Sequence, residues 1–427
     1  MNEPSIISTA AAALVGLLFV CAFFGFRKPE ERNFLLPLAI VAFVLRAGLV
    51  PIYYLILVEA GLQGFEFEDS INYHYRGIEF AKELARGIDY SSEAWRYVDP
   101  GYPLLTGFVY WMTGVNTLVM RMLNCVISVV TLLWVYRMAK LAFDDDRVAR
   151  WACYLLAFLP YPILFVVTHR KDVLVAALAT FVFYQGLRML RFENDVVKAT
   201  AWMFGALACI SFFRSGFIFP FLSALFVCYA VTQRSLAQAL ALSIPSIAIL
   251  LLAQVFISGD SSLSLAANAG RFEAKLIQSG NLADGAGLVS LVRMTSFFEI
   301  YKLPFAVPLA LILPFPPSTE GSLPAVMLSF ANLGNLAVLP HMLVGAVMTF
   351  ARGEWRKRIP LLIFAGSFLV VLAAVHVGVL RYRETIYPTM LVLAGAGFAR
   401  GNNGLISAVV YFGLVMLGGV VLFIRHY

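Results

Sequence analysis

Carboxylate, hydroxyl and imidazole side chains crowd one polar stretch, residues 66–103, of a chain that is otherwise mostly apolar. Asp69 and its neighbour Glu68 are acids of the kind that take a proton from a hydroxyl group while that hydroxyl attacks an electrophile. Tyr73 and His74 follow about one helical turn later, where they could orient the hydroxyl. This stretch therefore suggests proton chemistry, with Asp69 and Glu68 as candidate acids and Glu68, Tyr73 and His74 as candidate orienting groups.

A second polar group, residues 169–172, interrupts the apolar sequence about 100 positions later. Asp172 is a further acid at the start of an apolar run, and His169 could orient an acceptor or the base. Asp172 is therefore predicted to act together with Asp69, and His169 is grouped with the orienting residues.

Cations stand beside these acids at the ends of apolar runs, where a charge is costly unless it snorkels to the membrane surface or has a function. Clustered cations at a membrane edge suit the phosphate of a lipid head group, and they would stabilise the negative charge that develops on a phosphate leaving group. Four are predicted to bind such a phosphate: Arg170, Lys171, Arg381 and Arg383. Arg214, Arg293 and Lys302 are second candidates.

Each of these residues also has a purely structural interpretation. Asp69 could be the N-cap of a helix, a single cation could snorkel, and most charges of residues 66–103 could form a solvated loop. Asp69, Asp172, His74 and His169 could share a hard cation. Their spacing does not require one, so no metal or other cofactor is predicted, although a divalent ion remains an alternative.

The composition identifies the kind of protein that must position these residues. Of the 427 residues, 61% are hydrophobic and only 13% are charged, whereas a soluble domain is about 25% charged. Apolar runs of about 20 residues recur along the chain and do not alternate with polar residues, which predicts membrane-spanning helices and excludes a β-barrel. The net charge of +7 fits basic cytoplasmic loops and needs no nucleic-acid partner.

The predicted fold is therefore all-α, a polytopic integral membrane protein that forms one domain over residues 1–427 with no separate soluble domain. The basic loops place the acidic stretch on the outer side of the membrane. About twelve spans are expected, at residues 5–26, 34–57, 117–141, 148–168, 173–190, 199–213, 217–232, 236–257, 325–350, 359–379, 386–399 and 405–424.

Two long outer loops separate these spans, at residues 58–116 and 259–324. In the first, Asp69, Tyr73, Arg76 and Phe80 recur at steps of three and four, which predicts an interfacial helix over residues 69–86. The shorter apolar segment 104–114 is predicted to form a second one. The other loop is predicted to hold an interfacial helix near residues 271–277 and a proline-rich re-entrant or surface segment.

Several short motifs resemble the membrane-embedded GT-C glycosyltransferases, which include the dolichyl-phosphate-mannose protein mannosyltransferases and the bacterial aminoarabinose transferase. The first outer loop carries Asp69-Ser70-x-x-Tyr73 and then Pro100-Gly-Tyr-Pro-Leu-Leu-x-Gly. The motif residues that follow are Gly114, Arg121, Asn124, Arg170-Lys171-Asp172 and Arg381-Tyr382-Arg383 with Pro388. Ser70 stands where many members have Glu.

This resemblance implies a membrane glycosyltransferase with a polyprenyl-phosphate-linked sugar as donor, an inverting transfer, and Asp69 as the base. The acceptor would be a lipid, a glycan or a protein. The basic loops and the small size favour a bacterial inner membrane, with the site on the periplasmic side.

Two other functions remain open at this point. A polysaccharide polymerase or ligase would use a lipid-diphosphate-linked glycan, and the same cations would serve it. A transporter or flippase would be indicated by charges at mid-membrane and by broken spans in matching halves. Arg46 is the one clear charge inside an early span.

Overall fold

The computed structural model describes residues 5–87, 99–190, 195–214, 217–232, 297–312, 323–350, 354–375 and 380–401. Their regular elements are all helices, and no strand occurs among them, so the all-α prediction is confirmed for this part of the chain. The predicted spans 236–257 and 405–424, the predicted helix 271–277 and Arg293 lie outside the described residues.

The described residues up to Thr232 form ten helices: α1 (Ile6–Gly25), α2 (Pro29–Glu59), α3 (Glu68–Arg86), α4 (Gly101–Thr113), α5 (Thr117–Phe143), α6 (Asp146–Phe158), α7 (Pro160–Val166), α8 (Asp172–Leu190), α9 (Val196–Phe213) and α10 (Ile218–Thr232). Further on, the described residues form α11 (Leu303–Ile312), α12 (Leu323–Met348), α13 (Trp355–Val375) and α14 (Tyr387–Phe398). Short 3₁₀ helices, Phe297–Lys302 and Leu380–Thr385, precede α11 and α14.

Six of the described helices are long and apolar enough to cross a membrane, namely α1, α2, α5, α8, α9 and α12. A seventh span results if α6 and α7 are counted as one bent unit. The described part of this membrane protein is thus all-helical, and it does not confirm the predicted number of twelve spans. Helices α10 and α14 are apolar but shorter.

The predicted span 148–168 is not one straight helix. It is divided into α6 and α7, whose axes differ by 55°. Leu159 between them is extended, with φ −64° and ψ 137°, because a residue that precedes a proline is pushed out of the helical region. Pro160 then opens α7 at a position where its missing N–H is not needed. The bend directs α7 toward the polar turn at residues 168–172.

Helices α3 and α4 pack closely against each other outside the spans. A Cβ atom on Gly107 would lie 2.4 Å from the Cβ of Phe80, and one on Gly77 would lie 2.5 Å from a methyl group of Thr106. Glycine at both positions therefore allows the close approach of the two helices.

The two helices predicted in the first outer loop are both present. α3 agrees with the predicted range 69–86, whereas α4 begins at Gly101, three residues before the predicted start. The earlier start includes Pro103, which lies in the first turn of α4, where a proline removes no intrahelical hydrogen bond. That either helix lies in the membrane interface stays a prediction.

The proline-rich segment of the second outer loop contains a regular helix in its described part. α11 has ten residues, which gives a length of about 15 Å and is only half the thickness of a bilayer core. The described helix alone is therefore too short to be a span, and Pro304 and Pro308 did not prevent its formation. That the segment is re-entrant or lies on the surface stays a prediction. Pro314, Pro316 and Pro317 lie outside the described residues.

Helix α5 lies at the centre of the described bundle and contacts α1, α2, α6 and α8. Nearly three quarters of the most apolar stretch of α5 is buried inside the protein, whereas only about one tenth of that of α1 is buried. Since α5 is enclosed by other helices, its polar side chains meet protein groups rather than lipid. Two of these side chains, Arg121 and Asn124, reach the candidate site.

Candidate functional site

A buried ion pair connects the first outer loop with the central helix. The Arg121 Nη2 atom on α5 lies 2.9 Å from Glu66 Oε2, and neither side chain has any exposed surface. The same Nη2 atom donates a hydrogen bond to the carbonyl of Gly64, at 2.7 Å. A charge in such a place is tolerated only when it is paired and hydrogen-bonded, so Arg121 and Glu66 depend on each other.

The turn at residues 168–172 is held from two sides. Its His169 N–H donates to Glu66 Oε1, at 2.6 Å. On α5, the Asn124 side chain donates to the carbonyls of Thr168 and Arg170, at 3.0 and 3.2 Å. The backbone of the turn is thus fixed by a carboxylate and an amide that are both buried.

Asp172, the first residue of α8, lies between two arginines. Arg170 Nε is 3.2 Å from one carboxylate oxygen, and Arg214 Nη2, just after α9, is 2.9 Å from the other. All three side chains are at least nine-tenths buried. The structure therefore brings Arg214 into the same cluster as Arg170 and Asp172, where the carboxylate balances part of the arginine charge.

Lys171 points to a different partner. Its Nζ atom lies 3.2 Å from Asp99 Oδ2 and donates to the carbonyl of Phe213, at 2.8 Å. The ammonium group also lies 5.8 Å from the ring centroid of Tyr73. Burial is the largest cause that lowers the pKa of Lys171, and the carboxylate of Asp99 opposes this decrease. Lys171 therefore connects the turn to α3, to the residues just before α4 and to the end of α9.

The two acids predicted at the start of α3 differ in burial. Glu68 is exposed, whereas Asp69 is half-buried. The alternative that Asp69 is an N-cap is wrong, because the N-cap residue is Phe67 and Asp69 lies in the first helical turn. The Phe67 ring packs 4.9 Å from the Arg170 guanidinium, so the start of α3 lies next to the turn.

The buried face of α3 is rotated slightly from the predicted one. The predicted face was Asp69, Tyr73, Arg76 and Phe80, and the buried residues are Ser70, Tyr73, His74, Gly77 and Phe80. Asp69 and Arg76 therefore lie at the edge of the buried face. This edge position leaves Asp69 accessible while its helix is anchored.

His74 and His169 are both buried and neutral. Burial lowers the pKa of His74 to about 4, and its Nδ1 atom is 2.9 Å from the hydroxyl oxygen of Tyr110. Burial, assisted by the charge of Arg121, holds the pKa of His169 well below its ordinary value. The His169 ring packs edge-to-face on Tyr102. Both imidazoles thus suit hydrogen bonding with an uncharged group better than the binding of a phosphate.

Arg383, predicted to bind phosphate, is held by protein groups. Its guanidinium donates to the carbonyls of Ala310 and Leu311 at the end of α11 and to the Asn332 side chain. It also lies 4.8 Å from the ring centroid of Tyr161. A cation at the C-terminal end of a helix is stabilised by the helix dipole, so this contact explains Arg383 without a ligand. The side chain of Arg381 lies outside the described residues.

The remaining second candidate with a described side chain, Lys302, lies in the 3₁₀ helix before α11. It forms an ion pair with Glu299 at 2.9 Å. This is a local pair between residues three apart in the chain. Arg214, in contrast, forms its ion pair with Asp172. Among the described residues, Arg214 therefore has the stronger claim to a role in the site.

Glu384 is a buried acid next to the cluster of Asp172, Arg170 and Arg214. The sequence did not predict it as a site residue. Burial is the main cause that raises the pKa of Glu384 to about 8, the negative charge of Asp172 adds to the increase, and Arg383 and Arg46 oppose it. At neutral pH Glu384 is therefore mostly protonated and uncharged. It lies in the 3₁₀ helix that packs against the start of α8.

The raised pKa of Glu384 predicts a dependence of stability on pH. From pH 4.5 to 8 the folded state keeps a proton that the unfolded chain has released, so Glu384 lowers stability progressively as the pH rises through this window. The Glu384→Gln variant should therefore melt at a higher temperature than the wild type at pH 8 and at a similar temperature near pH 4.5. Thermal unfolding in detergent at several pH values measures this difference. Parallel melting curves for the two proteins would contradict it.

A narrow pocket with room for about one water molecule lies beside the turn. Arg170 and Thr168 supply its polar side, and apolar side chains supply the rest: Tyr53, Phe67, Leu164, Phe165, Pro324 and Leu328. This lining, apolar with one cation at its edge, has the polarity that suits an apolar molecule with an anionic head. The Asp69 helix begins at this pocket, since Phe67 lines it.

A second narrow pocket, with room for about one or two water molecules, lies between α11, α12 and α14 and includes Arg383, Asn335 and Tyr387. The Tyr387 hydroxyl donates to the Asn335 side chain.

Within the part of the chain that the structure describes, no three His, Cys, Asp or Glu side chains come together as a metal site would require.

Glu66 was not predicted as a functional residue. It was included only in the range of the polar stretch, residues 66–103. A signal was present, because Arg121 falls in the first turn of an apolar helix and a buried cation needs an anion. The 55 positions between the two residues gave no indication that Glu66 was that anion. Glu384 was missed for a similar reason, since its burial depends on how α13 and α14 are joined.

Comparison with known proteins gives one family. The model of the family described as dolichyl-phosphate-mannose-protein mannosyltransferase matches residues 98–259. No curated protein matches the chain. The matched residues, fewer than half of the chain, include α4, α5 and the turn at residues 168–172, whereas Glu66 and Asp69 lie outside the match.

Proposed function

We propose that this GT-C-like membrane glycosyltransferase moves a sugar from a polyprenyl-phosphate donor to a hydroxyl group of a lipid, glycan or protein acceptor. The observation that carries the proposal is the turn at residues 168–172. It presents Arg170 to an apolar pocket and lies against the start of the helix that carries Asp69. The geometry thus supplies an acid and a cation on neighbouring elements.

In the proposed reaction, Asp69 takes the proton of the acceptor hydroxyl as its oxygen bonds to the anomeric carbon of the sugar. The bond between that carbon and the phosphate oxygen breaks, and the electron pair leaves with the polyprenyl phosphate. Attack opposite the leaving group inverts the anomeric centre. The base must lie within hydrogen-bond reach of the hydroxyl, which the edge position of Asp69 allows.

The cations act on the leaving group in this scheme. Arg170, next to the pocket, would bind the donor phosphate, and Lys171 would add positive potential from the opposite side of the turn. Groups fixed before the reaction stabilise developing charge without reorganisation. Asp172 holds Arg170 and Arg214 in place and would orient them rather than take the proton itself.

The orienting residues fall into two groups. Tyr73, His74 and His169 are buried beneath the start of α3 and would shape the acceptor side through neutral contacts. Glu68 is exposed and would meet the acceptor only at the surface. Arg383 would support the fold around α11, and Arg381 stays a candidate for the donor phosphate. We place the protein in a bacterial inner membrane with this site facing the periplasm.

A panel of lipid-linked sugars tests this function. Purified protein in lipid nanodiscs should transfer sugar from a polyprenyl-phosphate donor, and the Arg170→Met variant should show a KM for the donor at least about tenfold higher. One charge-assisted hydrogen bond is worth about 1.5–3 kcal/mol, and 1.4 kcal/mol corresponds to tenfold. The matched control is Arg147→Met, since the Arg147 side chain is 74% exposed and lies beyond the far end of α5.

The same panel distinguishes the other functions. Transfer only from lipid-diphosphate-linked glycans would establish a polymerase or ligase instead. Movement of labelled lipid between leaflets without any transfer would establish a flippase. An unchanged donor KM in Arg170→Met would remove that residue from the donor site while leaving the reaction class intact.

A further inference from the structure

We infer that Glu66 is a positioning residue that sets the distance between the helix of the proposed base and the turn of the proposed phosphate ligands. The inference rests on the proposed function and deepens it. It concerns a residue that lies outside the candidate set and three positions before Asp69.

One oxygen of Glu66 joins the two elements. Oε1 accepts from the Ser70 hydroxyl, at 2.8 Å, and from the His169 N–H, at 2.6 Å. Ser70 follows Asp69 directly and His169 precedes Arg170 directly. A single atom therefore lies between the residue beside the base and the residue beside the cation.

The other oxygen fixes the carboxylate itself. Oε2 is 2.9 Å from Arg121 Nη2 on the central helix, and this nitrogen also binds the Gly64 carbonyl. Because all of these groups are buried, the carboxylate cannot turn without leaving a buried charge or donor unpaired. Glu66 is thus fixed by α5 and transmits this fixed position to α3 and to the turn.

A shift of the turn relative to α3 would lower the catalytic rate more than the affinity for the donor. A misplacement of about 1 Å can lower a rate about a hundredfold when reacting groups must be aligned. A donor held by its lipid tail and phosphate would still bind when the turn shifts relative to α3. Loss of the Glu66 contact should therefore lower kcat with little change in the donor KM.

Two double variants separate positioning from simple ion pairing. Glu66→Gln with Arg121→Met removes both charges but keeps an amide oxygen that accepts from His169 and Ser70. Glu66→Leu with Arg121→Met also removes both charges but leaves no acceptor. Replacing both partners of a buried pair with uncharged residues is often well tolerated by the fold. The two proteins thus differ only in the side-chain amide at position 66, which supplies the acceptor.

The glutamine double variant is expected to keep kcat within about tenfold of the wild type, and the leucine double variant to lose about a hundredfold or more. Both should have donor KM values close to the wild-type value. Amide hydrogen exchange at His169 should stay slow in the first protein and become fast in the second. Equal kcat values and equal exchange in the two folded variants would overturn the inference.

A milder variant covers the case in which the leucine protein does not fold. Glu66→Asp keeps the charge near Arg121 but withdraws the carboxylate by one carbon–carbon bond, about 1.5 Å. It should lower kcat about tenfold and speed exchange at His169, and wild-type values for both would also overturn the inference. A wild type that transfers from no donor would refute the proposed function, whereas the exchange comparison would still test the position of Glu66.

Discussion

Replacing Asp69 with asparagine is expected to lower sugar transfer at least about a hundredfold while the protein stays folded. A general base contributes about 10² to 10⁴ in rate, and an amide cannot take the proton. Asp69 is half-buried in the first turn of α3. An amide of nearly the same shape fits there, and the lost interaction of the carboxylate with the helix dipole costs about 0.3–1 kcal/mol. The measurement is kcat of purified protein with its donor, together with the melting temperature.

The matched control for this variant is Glu79→Gln. Glu79 lies on the same helix, is more than half exposed, and has only a loose surface contact with Arg76 at 3.9 Å. It should keep full activity. If Asp69→Asn retained wild-type kcat at all pH values, the proton would have another acceptor, and the role of α3 in the reaction would have to be reassigned.

The spans near the N-terminus were the easiest part of the fold to predict. Their apolar runs are long, and α1, α5 and α8 lie within a few residues of the predicted ranges. The bend between α6 and α7 was not predicted, because Pro160 sits inside an apolar run that satisfies the composition of a span. A proline is compatible with either a kink or a break, and the packing of neighbouring helices decides which one forms.

The sequence indicated individual candidate residues of the site, but it did not indicate which groups each of them contacts. Charges at the ends of apolar runs indicated Arg170, Lys171 and Asp172, which the structure places in one buried turn; their roles in the reaction stay predictions. The sequence could not tell that Arg383 binds the carbonyls at the end of α11. A snorkelling, a ligand-binding and a helix-capping arginine have the same local pattern, and only the tertiary contacts separate them.

The same limit applies to the position of the acid that accompanies Asp69. The motif places Ser70 where many GT-C members have Glu, which suggested that a second carboxylate was absent there. In the structure Ser70 binds Glu66, one helical turn earlier. A carboxylate is thus present beside position 70, and it is supplied by the loop before α3 rather than by the motif itself.

Replacing Asp172 with asparagine is expected to abolish transfer and to destabilise the protein strongly. The change removes the anion between two buried arginines, with contacts of 3.2 and 2.9 Å, and so removes the compensation that this carboxylate gives to their charges. Breaking a buried ion pair in this way costs about 3–5 kcal/mol. Thermal unfolding and transfer activity measure the two effects. Asp195→Asn is the matched control, because the Asp195 side chain is 60% exposed and makes only a 4.0 Å contact with Arg188.

A second substitution separates the stability effect of Asp172 from its effect on the reaction. Asp172→Asn with Arg214→Gln removes one cation together with the anion, so much of the lost stability should return, as expected for residues in direct contact. Activity should stay low, because Arg170 would lose the partner that orients it. Full recovery of activity together with stability would show that the Asp172 cluster serves the fold alone, and the phosphate-binding role would then fall to other cations.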